Sequence, residues 1–107
     1  ALDLDTGSTR WQRPIDPPAL SPLVHQQRSA LTLSAGRVYV PFGGLYGDCG
    51  DYRGWVVASD TAGNGDLLSY RVKSGREGGI WAPGGAVTDP AGNLVVAAGN
   101  AEGSGFN

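Results

Sequence analysis

Short runs in which Val, Leu and Tyr alternate with polar or small residues recur along the chain, and Gly, Asn and Asp separate them. Alternation with a period of two is typical of half-buried β-strands, and the separating residues are those that favour turns. No stretch of about a dozen residues carries apolar side chains at helical spacing without an interrupting Gly or Pro. The pattern therefore predicts an all-β protein.

The alternating runs form four pairs. Strands are predicted at residues 1–5 and 9–13, 28–33 and 37–42, 55–59 and 67–73, and 80–88 and 93–98. Residues 14–27 contain four prolines, which exclude a central strand, so this segment is predicted to be a long connection. The glycine-rich residues 43–54 and residues 74–79 are predicted to be further connections.

Two parts of the pattern occur twice. The stretch from Ala1 to Trp11 is echoed by the stretch from Ala58 to Tyr70, and Ala58 follows Ala1 by 57 residues. Residues 36–43 return as residues 92–99, at an offset of 56. A repeat of somewhat more than about 50 residues, built from short strands, indicates a propeller or a solenoid.

The first copy carries a specific motif that spans eleven residues, with Ala1, Asp3, Thr6, Gly7 and Trp11 at its signature positions. Thr6 and Gly7 are expected to form a turn with the glycine at positive φ, around which the side chains of Asp3 and Thr6 can accept hydrogen bonds from backbone amides. The motif resembles the tryptophan-docking repeat of the PQQ-like (quinoprotein-type) β-propellers. Residues 36–40 and 89–100 are similar to the second strand of such blades, so the resemblance covers almost the whole chain. It implies a ring of four-stranded antiparallel blades in which the motif Trp packs between neighbours.

The second copy departs from the motif, because Tyr70 stands where Trp is expected and comes two residues late. By this resemblance the chain, residues 1–107, is a single partial propeller unit: a half-blade at 1–13, a full blade at 28–73 and a half-blade at 80–100. The expected partners are the remaining blades. They belong either to the same natural polypeptide or to further copies of this chain.

Charge and composition exclude several classes of function. The net charge is −2 with both signs interspersed, so there is no basic stripe for nucleic acid. The longest apolar run is too short to span a membrane. Cys49 is the only cysteine, which rules out an intrachain disulfide. No targeting segment is recognised in this chain, and the resemblance implies an extracytoplasmic location, periplasmic or secreted.

Loop length is distributed unevenly over the predicted blade. The turns of the hairpins are tight and lie on one face, whereas the long connections lie on the other, where binding residues concentrate on rigid scaffolds. Candidate residues for a protein or small-ligand partner on this long-loop face are His25, Gln27, Arg28, Asp48, Asp51, Tyr52, Arg53, Arg76, Glu77 and Trp81. The alternative is structural: His25 and its neighbours cap strand ends, residues 43–54 hold themselves together, and Trp81 packs.

The sequence assigns no catalytic residue and no metal ligand. Asp48 and Asp51 supply too few oxygens for calcium, and Cys49 between them is expected to be a poor nucleophile. The quinone-binding constellation of the family's enzymes cannot be placed, so no cofactor is expected within this chain. The leading hypothesis is a non-catalytic binding or scaffolding segment. The alternatives are a fragment of a PQQ-dependent quinoprotein oxidoreductase, whose PQQ and calcium ligands lie in blades outside this chain, and an assembly fragment without activity.

Overall fold

The computed structural model describes residues 1–103, which contain nine β-strands and no helix. The strands are β1 (His25–Gln26), β2 (Thr32–Ser34), β3 (Arg37–Gly44), β4 (Trp55–Asp60), β5 (Leu68–Arg71), β6 (Arg76–Glu77), β7 (Val87–Thr88), β8 (Leu94–Val95) and β9 (Ala101–Glu102). All strand pairs between them are antiparallel. The prediction of an all-β chain is confirmed.

The main sheet is an antiparallel meander centred on β3 and β4. β5 pairs with the outer edge of β4, while β1 and β2 pair one after the other with the outer edge of β3. The β3–β4 ladder places Val40 opposite Val57 and Phe42 opposite Trp55. Cross-strand pairs of β-branched and aromatic side chains contribute about 0.2–1 kcal/mol each.

The tight turn between β2 and β3 is the most local feature of the sheet. Ala35 and Gly36 both have positive φ, at 47° and 72°, and Ser34 pairs directly with Arg37. Two residues of positive φ between paired strands are the signature of a type I′ turn, whose twist matches that of the strands. The hairpin predicted around Ser34, Ala35 and Gly36 is therefore confirmed.

Side chains alternate between the two faces of the main sheet along β3 and β4, and apolar side chains occur on both faces. On one face Val40, Phe42, Trp55 and Val57 form a buried cluster with Leu20. The opposite face carries a second buried cluster, of Val56, Val72 and Ile80, onto which Leu94 and Val96 pack. The N-terminal segment thus covers one face of the sheet and the C-terminal segment part of the other.

The N-terminal motif folds around the carboxylate of Asp3. Its Oδ1 accepts hydrogen bonds from the backbone N–H of Asp5 (3.1 Å) and of Thr6 (2.9 Å), and its Oδ2 pairs with Arg10 at 2.6 Å. The Arg10 guanidinium and the bonds from Thr6 lower the pKa of Asp3 to about 2. Gly7 has a φ of 70°, as the predicted turn requires. The side-chain bonding expected around this turn is confirmed.

The motif then docks onto the turn that links β4 to β5. The Trp11 indole lies so close to Gly63 that a Cβ atom added there would overlap the ring. Arg13 donates from Nη1 to the carbonyl of Asn64 (2.9 Å) and from Nη2 to that of Gly65 (3.0 Å). One half-buried aromatic ring and one guanidinium thus hold the N-terminal segment on the main sheet.

Several predicted strand boundaries are wrong. The strands expected at 1–5 and 9–13 reduce to one bridge between Leu2 and Thr9. The predicted connections contain three paired segments: β1 lies within 14–27, β3 continues through Gly44, and β6 lies within 74–79, where it pairs with β9. The last hairpin retains only the two-residue strands β7 and β8.

The shortened last hairpin has a physical cause at the edge of β3. Between β1 and β2 the edge is open, and the chain near Ile80 fills the gap. The Ile80 N–H donates to the carbonyl of Phe42 (3.1 Å), the Ala30 N–H donates to that of Ala82 (3.2 Å), and the Ser29 hydroxyl donates to that of Ile80 (3.0 Å). Residues 80–82 therefore follow the main sheet before β7 begins.

A pair of glycine variants tests the docking of Trp11. Gly63 and Gly65 have similar positive φ, 77° and 69°, but a Cβ at Gly65 meets nothing within 4 Å. We expect Gly65→Ala to cost about 1–2 kcal/mol through backbone strain alone. Gly63→Ala should cost about 1–3 kcal/mol more, because the methyl group displaces the indole. Urea unfolding followed by tryptophan fluorescence measures the difference; equal costs would contradict the docking.

Candidate functional site

Two connections meet at one end of the main sheet. The segment from residue 45 to residue 54 joins β3 to β4, and the segment from 72 to 75 joins β5 to β6. The opposite end carries the β2–β3 turn and the β4–β5 link at residues 61–67, which is longer than residues 72–75, so the expectation that all loop length lies on one face is wrong. Since neither the 45–54 nor the 72–75 segment forms a regular ladder over most of its length, side chains have to satisfy its backbone groups.

Two arginines link the connections reciprocally. Arg53, from the first segment, donates through Nε to the carbonyl of Gly75 at 2.9 Å. Arg76, which follows the second segment, donates through Nε to the carbonyl of Gly50 at 3.0 Å and through Nη2 to that of Asp48. A guanidinium presents several N–H donors in a fixed plane, so a single side chain can hold two turns of a loop.

Glu77 is the buried charge at the centre of this arrangement. Its side chain is only 11 % exposed, and its carboxylate accepts from Arg76 Nη1 (3.1 Å) and from Asn100 Nδ2 (2.8 Å). Its backbone has a φ of 64° and forms a parallel bridge with Arg53. A non-glycine residue at positive φ costs free energy, and it persists where the surroundings hold it in place. Glu77 thus connects three separate segments.

His25, Tyr52 and Asp48 form a second linked group. The Nδ1 atom of His25 lies 2.7 Å from the carbonyl oxygen of Ser21, and its Nε2 atom lies 3.1 Å from the carbonyl oxygen and 3.4 Å from the backbone nitrogen of Arg53. The ring of Tyr52 is fully buried, edge-on to His25 at 6.3 Å, and its hydroxyl donates to Asp48 Oδ1 at 2.5 Å. Burial, followed by this bond to Asp48, raises the pKa of the Tyr52 phenol well above its usual value.

Next to these links lies an open depression of about 480 Å³. It is lined by Gln26, Arg28, Asp48, Trp81 and Asn100, together with residues 44–47. The Arg28 guanidinium stacks over the Trp81 ring, with its central carbon 4.6 Å from the ring centroid. A Cβ atom at Gly43 would overlap the same ring, so the indole is seated directly on the backbone of β3.

The structure brings most of the predicted candidates to this end of the sheet but divides their roles. Five candidates bond within the protein: His25, Tyr52, Arg53, Arg76 and Glu77. The loop at 43–54 does not hold itself together alone, because Arg76 and the carbonyl of Gly75 bind it from outside. Arg28, Asp48 and Trp81 line the depression. Two candidates lie apart from it: Gln27 donates to the carbonyl of Ser29 (2.6 Å), and the exposed Asp51 approaches Arg53 at 3.9 Å.

Among the polar and aromatic residues that line the depression, the sequence reasoning did not single out Tyr46 and Asn100. Tyr46 is 99 % exposed. The signal that could have identified it is its position as an aromatic residue in a glycine-rich loop. Asn100 had no such signal, because its place depends on the pairing of β6 with β9. The N-terminal docking residues lie away from the depression, near the turn between β4 and β5. They are Ala1, Asp3, Thr6, Gly7 and Trp11. Tyr70 lines a separate groove.

Comparison with protein-family models, with curated proteins and with solved structures found no match for this chain. Within residues 1–103, no three His, Cys, Asp or Glu side chains lie close enough together to hold a metal ion. The same residues include no helix with the length and apolar character needed to cross a membrane.

The Tyr52 phenol should make stability fall at high pH. Because the pKa of the phenol is raised in the folded state, the stabilisation that it provides is complete below its unfolded pKa of about 10. Above that pH the free energy of unfolding falls, by up to about 1.4 kcal/mol per pH unit. We expect Tyr52→Phe to cost about 1 kcal/mol at neutral pH and to remove this part of the decline. Urea unfolding at several pH values measures it. Tyr46→Phe is the control, and an unchanged slope in Tyr52→Phe would contradict the assignment.

Arg76→Gln should loosen the long-loop end. The change removes donors from two loop carbonyls and leaves the Glu77 carboxylate without its neighbouring cation, so we expect a loss of about 2–4 kcal/mol. Amide hydrogen exchange should rise most at residues 45–52. Lys73→Gln, at an exposed position nearby, should change neither quantity. Protection that stays the same in Arg76→Gln would show that the loop does not depend on this side chain.

Proposed function

We propose that this chain is a non-catalytic segment of a PQQ-like β-propeller that binds a partner or ligand through its long-loop face. The main sheet supports this, because its five strands occupy four antiparallel positions, with β1 and β2 sharing one edge of β3, and a blade has four such positions. The apolar character of both its faces supports a stacked arrangement, because each face needs an apolar neighbour. The motif tryptophan lies against the turn of the β4–β5 hairpin, as docking between blades would have it.

The observation that carries the binding function is the depression beside Trp81. Its floor is fixed, since the indole rests on Gly43 and the adjoining loops are tied by Arg53 and Arg76. A cavity of several hundred Å³ with a few convergent polar groups on a rigid frame is the usual form of a ligand site. Within residues 1–103, the opposite end of the sheet carries the β2–β3 and β4–β5 turns, and the N-terminal motif lies on the second of them.

The chemistry of the depression favours a ligand rich in acceptor oxygens. Within residues 1–103 the Arg28 guanidinium makes no ion pair, and its stacking on Trp81 leaves its N–H groups free to donate at the edge of the plane. Gln26 adds a further exposed amide donor. A carboxylate or a polyol fits such a surface, with its apolar part against the aromatic rings.

Catalysis is not part of this proposal. The His25 imidazole is buried against the backbone of Ser21 and Arg53 and does not line the depression. Cys49 is exposed, and its thiol donates only weakly, to the carbonyl of Gly47 at 3.8 Å. The resemblance that supports the propeller also supports an extracytoplasmic location, and the quinoprotein alternative is tested alongside.

A chemical-shift titration tests the binding function. The ¹⁵N-labelled chain is titrated separately with acetate, with glucose, and with PQQ plus calcium, to about 100 mM for the two weak probes. We expect acetate or glucose to shift the Trp81 indole N–H and the amides of residues 44–47 saturably. Arg28→Gln should weaken the binding of whichever probe causes these shifts at least about tenfold, equivalent to about 1.4 kcal/mol. Stoichiometric binding of PQQ would favour the oxidoreductase alternative.

The matched control is Arg71→Gln. Arg71 also stacks on a tryptophan, 5.7 Å from the ring centroid of Trp55, but it lies outside the depression. This variant should bind the probe as the unmodified chain does. If neither acetate nor glucose shifts the Trp81 signal, or if both arginine variants lose the shifts equally, the proposed site is wrong.

A further inference from the structure

An apolar groove of about 530 Å³ lies on the less covered face of the main sheet. It is bounded by Tyr39 and Val56 on the sheet, by Tyr70 on β5 and by Leu94 and Val96 at the β8 hairpin. The groove is continuous with a contact that the chain already makes, because Leu94 and Val96 pack on the buried cluster of Val56, Val72 and Ile80. Tyr70 is nevertheless 52 % exposed.

Within residues 1–103, the edge of β8 beside the groove has no strand paired with it. The Asp89 N–H donates to the carbonyl of Asn93 at 3.0 Å, so these two residues form a hydrogen-bonded pair in the β7–β8 hairpin. The next pair, Thr88 with Leu94, is then of the kind that exchanges no backbone bonds. It follows that the N–H and C=O of Leu94 point away from β7, toward the open edge.

A similar unpaired edge lies at the other end of the chain. In the N-terminal hairpin the Asp3 N–H donates to Ser8 (2.8 Å) and the Arg10 N–H donates to Ala1 (3.0 Å). These two bonds flank Leu2, whose own N–H and C=O therefore point away from the hairpin. The Leu2 side chain is 65 % exposed.

The internal repeat relates these two edges to a pair of strands that the main sheet contains. In the main sheet Val38 pairs with Ser59. Leu94 follows Val38 by 56 residues, and Ser59 follows Leu2 by 57, the two offsets of the repeat. The pair that corresponds to Val38–Ser59 is therefore Leu94 with Leu2. Within residues 1–103, Leu2 pairs with Thr9 and Leu94 with Thr88, so this pair is not formed inside one copy.

The direction of the backbone bonds supports this register independently. The Thr61 N–H donates to Gly36 at 3.1 Å, which makes Arg37–Asp60 a non-bonded pair and Val38–Ser59 a hydrogen-bonded one. In the corresponding pair, the backbone N–H and C=O groups of Leu2 and of Leu94 must point outward from their own hairpins, and both sets of groups do. A register shifted by one residue would have brought together groups that point the wrong way.

We propose that residues 1–3 of a second copy of this chain pair antiparallel with β8, with Leu2 opposite Leu94, and that the groove receives the Leu2 side chain. Directly opposite residues point to the same face of a sheet. Leu94 points toward the main sheet, so Leu2 of the second copy enters the groove beside Tyr70. The contact joins different surfaces of the two copies, and it therefore builds head-to-tail assemblies.

The test uses two variants that each block one end. Leu2→Glu places a charge on the inserted strand, and Leu68→Glu places one in the groove, where Leu68 is 53 % exposed. We expect the unmodified chain to grow in mass between about 10 µM and about 1 mM in sedimentation equilibrium. Each variant alone should associate at least about tenfold more weakly. Leu23→Glu, at an exposed position elsewhere, should associate as the unmodified chain does.

Mixing the two variants gives the decisive result. Each then retains the end that the other lacks, so the mixture should form a one-to-one dimer and stop there. Near-ultraviolet circular dichroism checks that both variants fold. A monomeric unmodified chain at about 1 mM, equal association of all variants, or a mixture that stays monomeric would overturn the proposal.

Disulfide trapping tests the register in the chain with Cys49→Ser. The same repeat places Ala1 opposite Val95, in a non-bonded pair with closely spaced Cβ atoms. A copy with Ala1→Cys should cross-link to a copy with Val95→Cys, at least about tenfold faster than to one with Ala97→Cys, two residues further along the same face. Equal rates would contradict the register.

Discussion

The alternation of side chains along β3 and β4 gives the central sheet two apolar faces, and this governs the rest of the molecule. Val57 and Trp55 point to one side, and Val56 to the other. Exposing either face to water costs about 25 cal/mol per Å² of apolar surface. The segments before and after the sheet are therefore held against it, despite having little regular structure of their own.

What the sequence predicts well is local. The all-β class, the β2–β3 hairpin and the bonding around Asp3 depend on alternation, on turn residues and on side chains two or three positions away. The pairing of β6 with β9 and the docking of Ile80 at the edge of β3 depend on contacts far apart in the chain. No local pattern encodes them, which is why strand boundaries near residue 80 were wrong.

The candidate site shows the same division. Its glycine-rich loop and the position of Trp81 near it follow from the order of strands. The roles of the charged residues do not, because Arg53 and Arg76 could equally have faced solvent in sequence terms. They are drawn inward by unpaired loop carbonyls, and this leaves Arg28, stacked on an indole, as the guanidinium that the depression presents. Backbone satisfaction thus decides which cation remains available for a ligand.

The two faces of the sheet are not covered equally, and the repeat explains the difference. On the first face Trp11 rests on Gly63, and Leu20 closes the cluster behind it. Tyr70 is the counterpart of Trp11 in the second repeat of the sequence. It has no hairpin turn against it within residues 1–103 and remains half exposed beside the groove. A repeat unit buries one face on its predecessor and requires a successor for the other. The exposed apolar surface near Tyr70 therefore follows from the repeat itself, since the same sequence pattern that covers one face creates the need to cover the next.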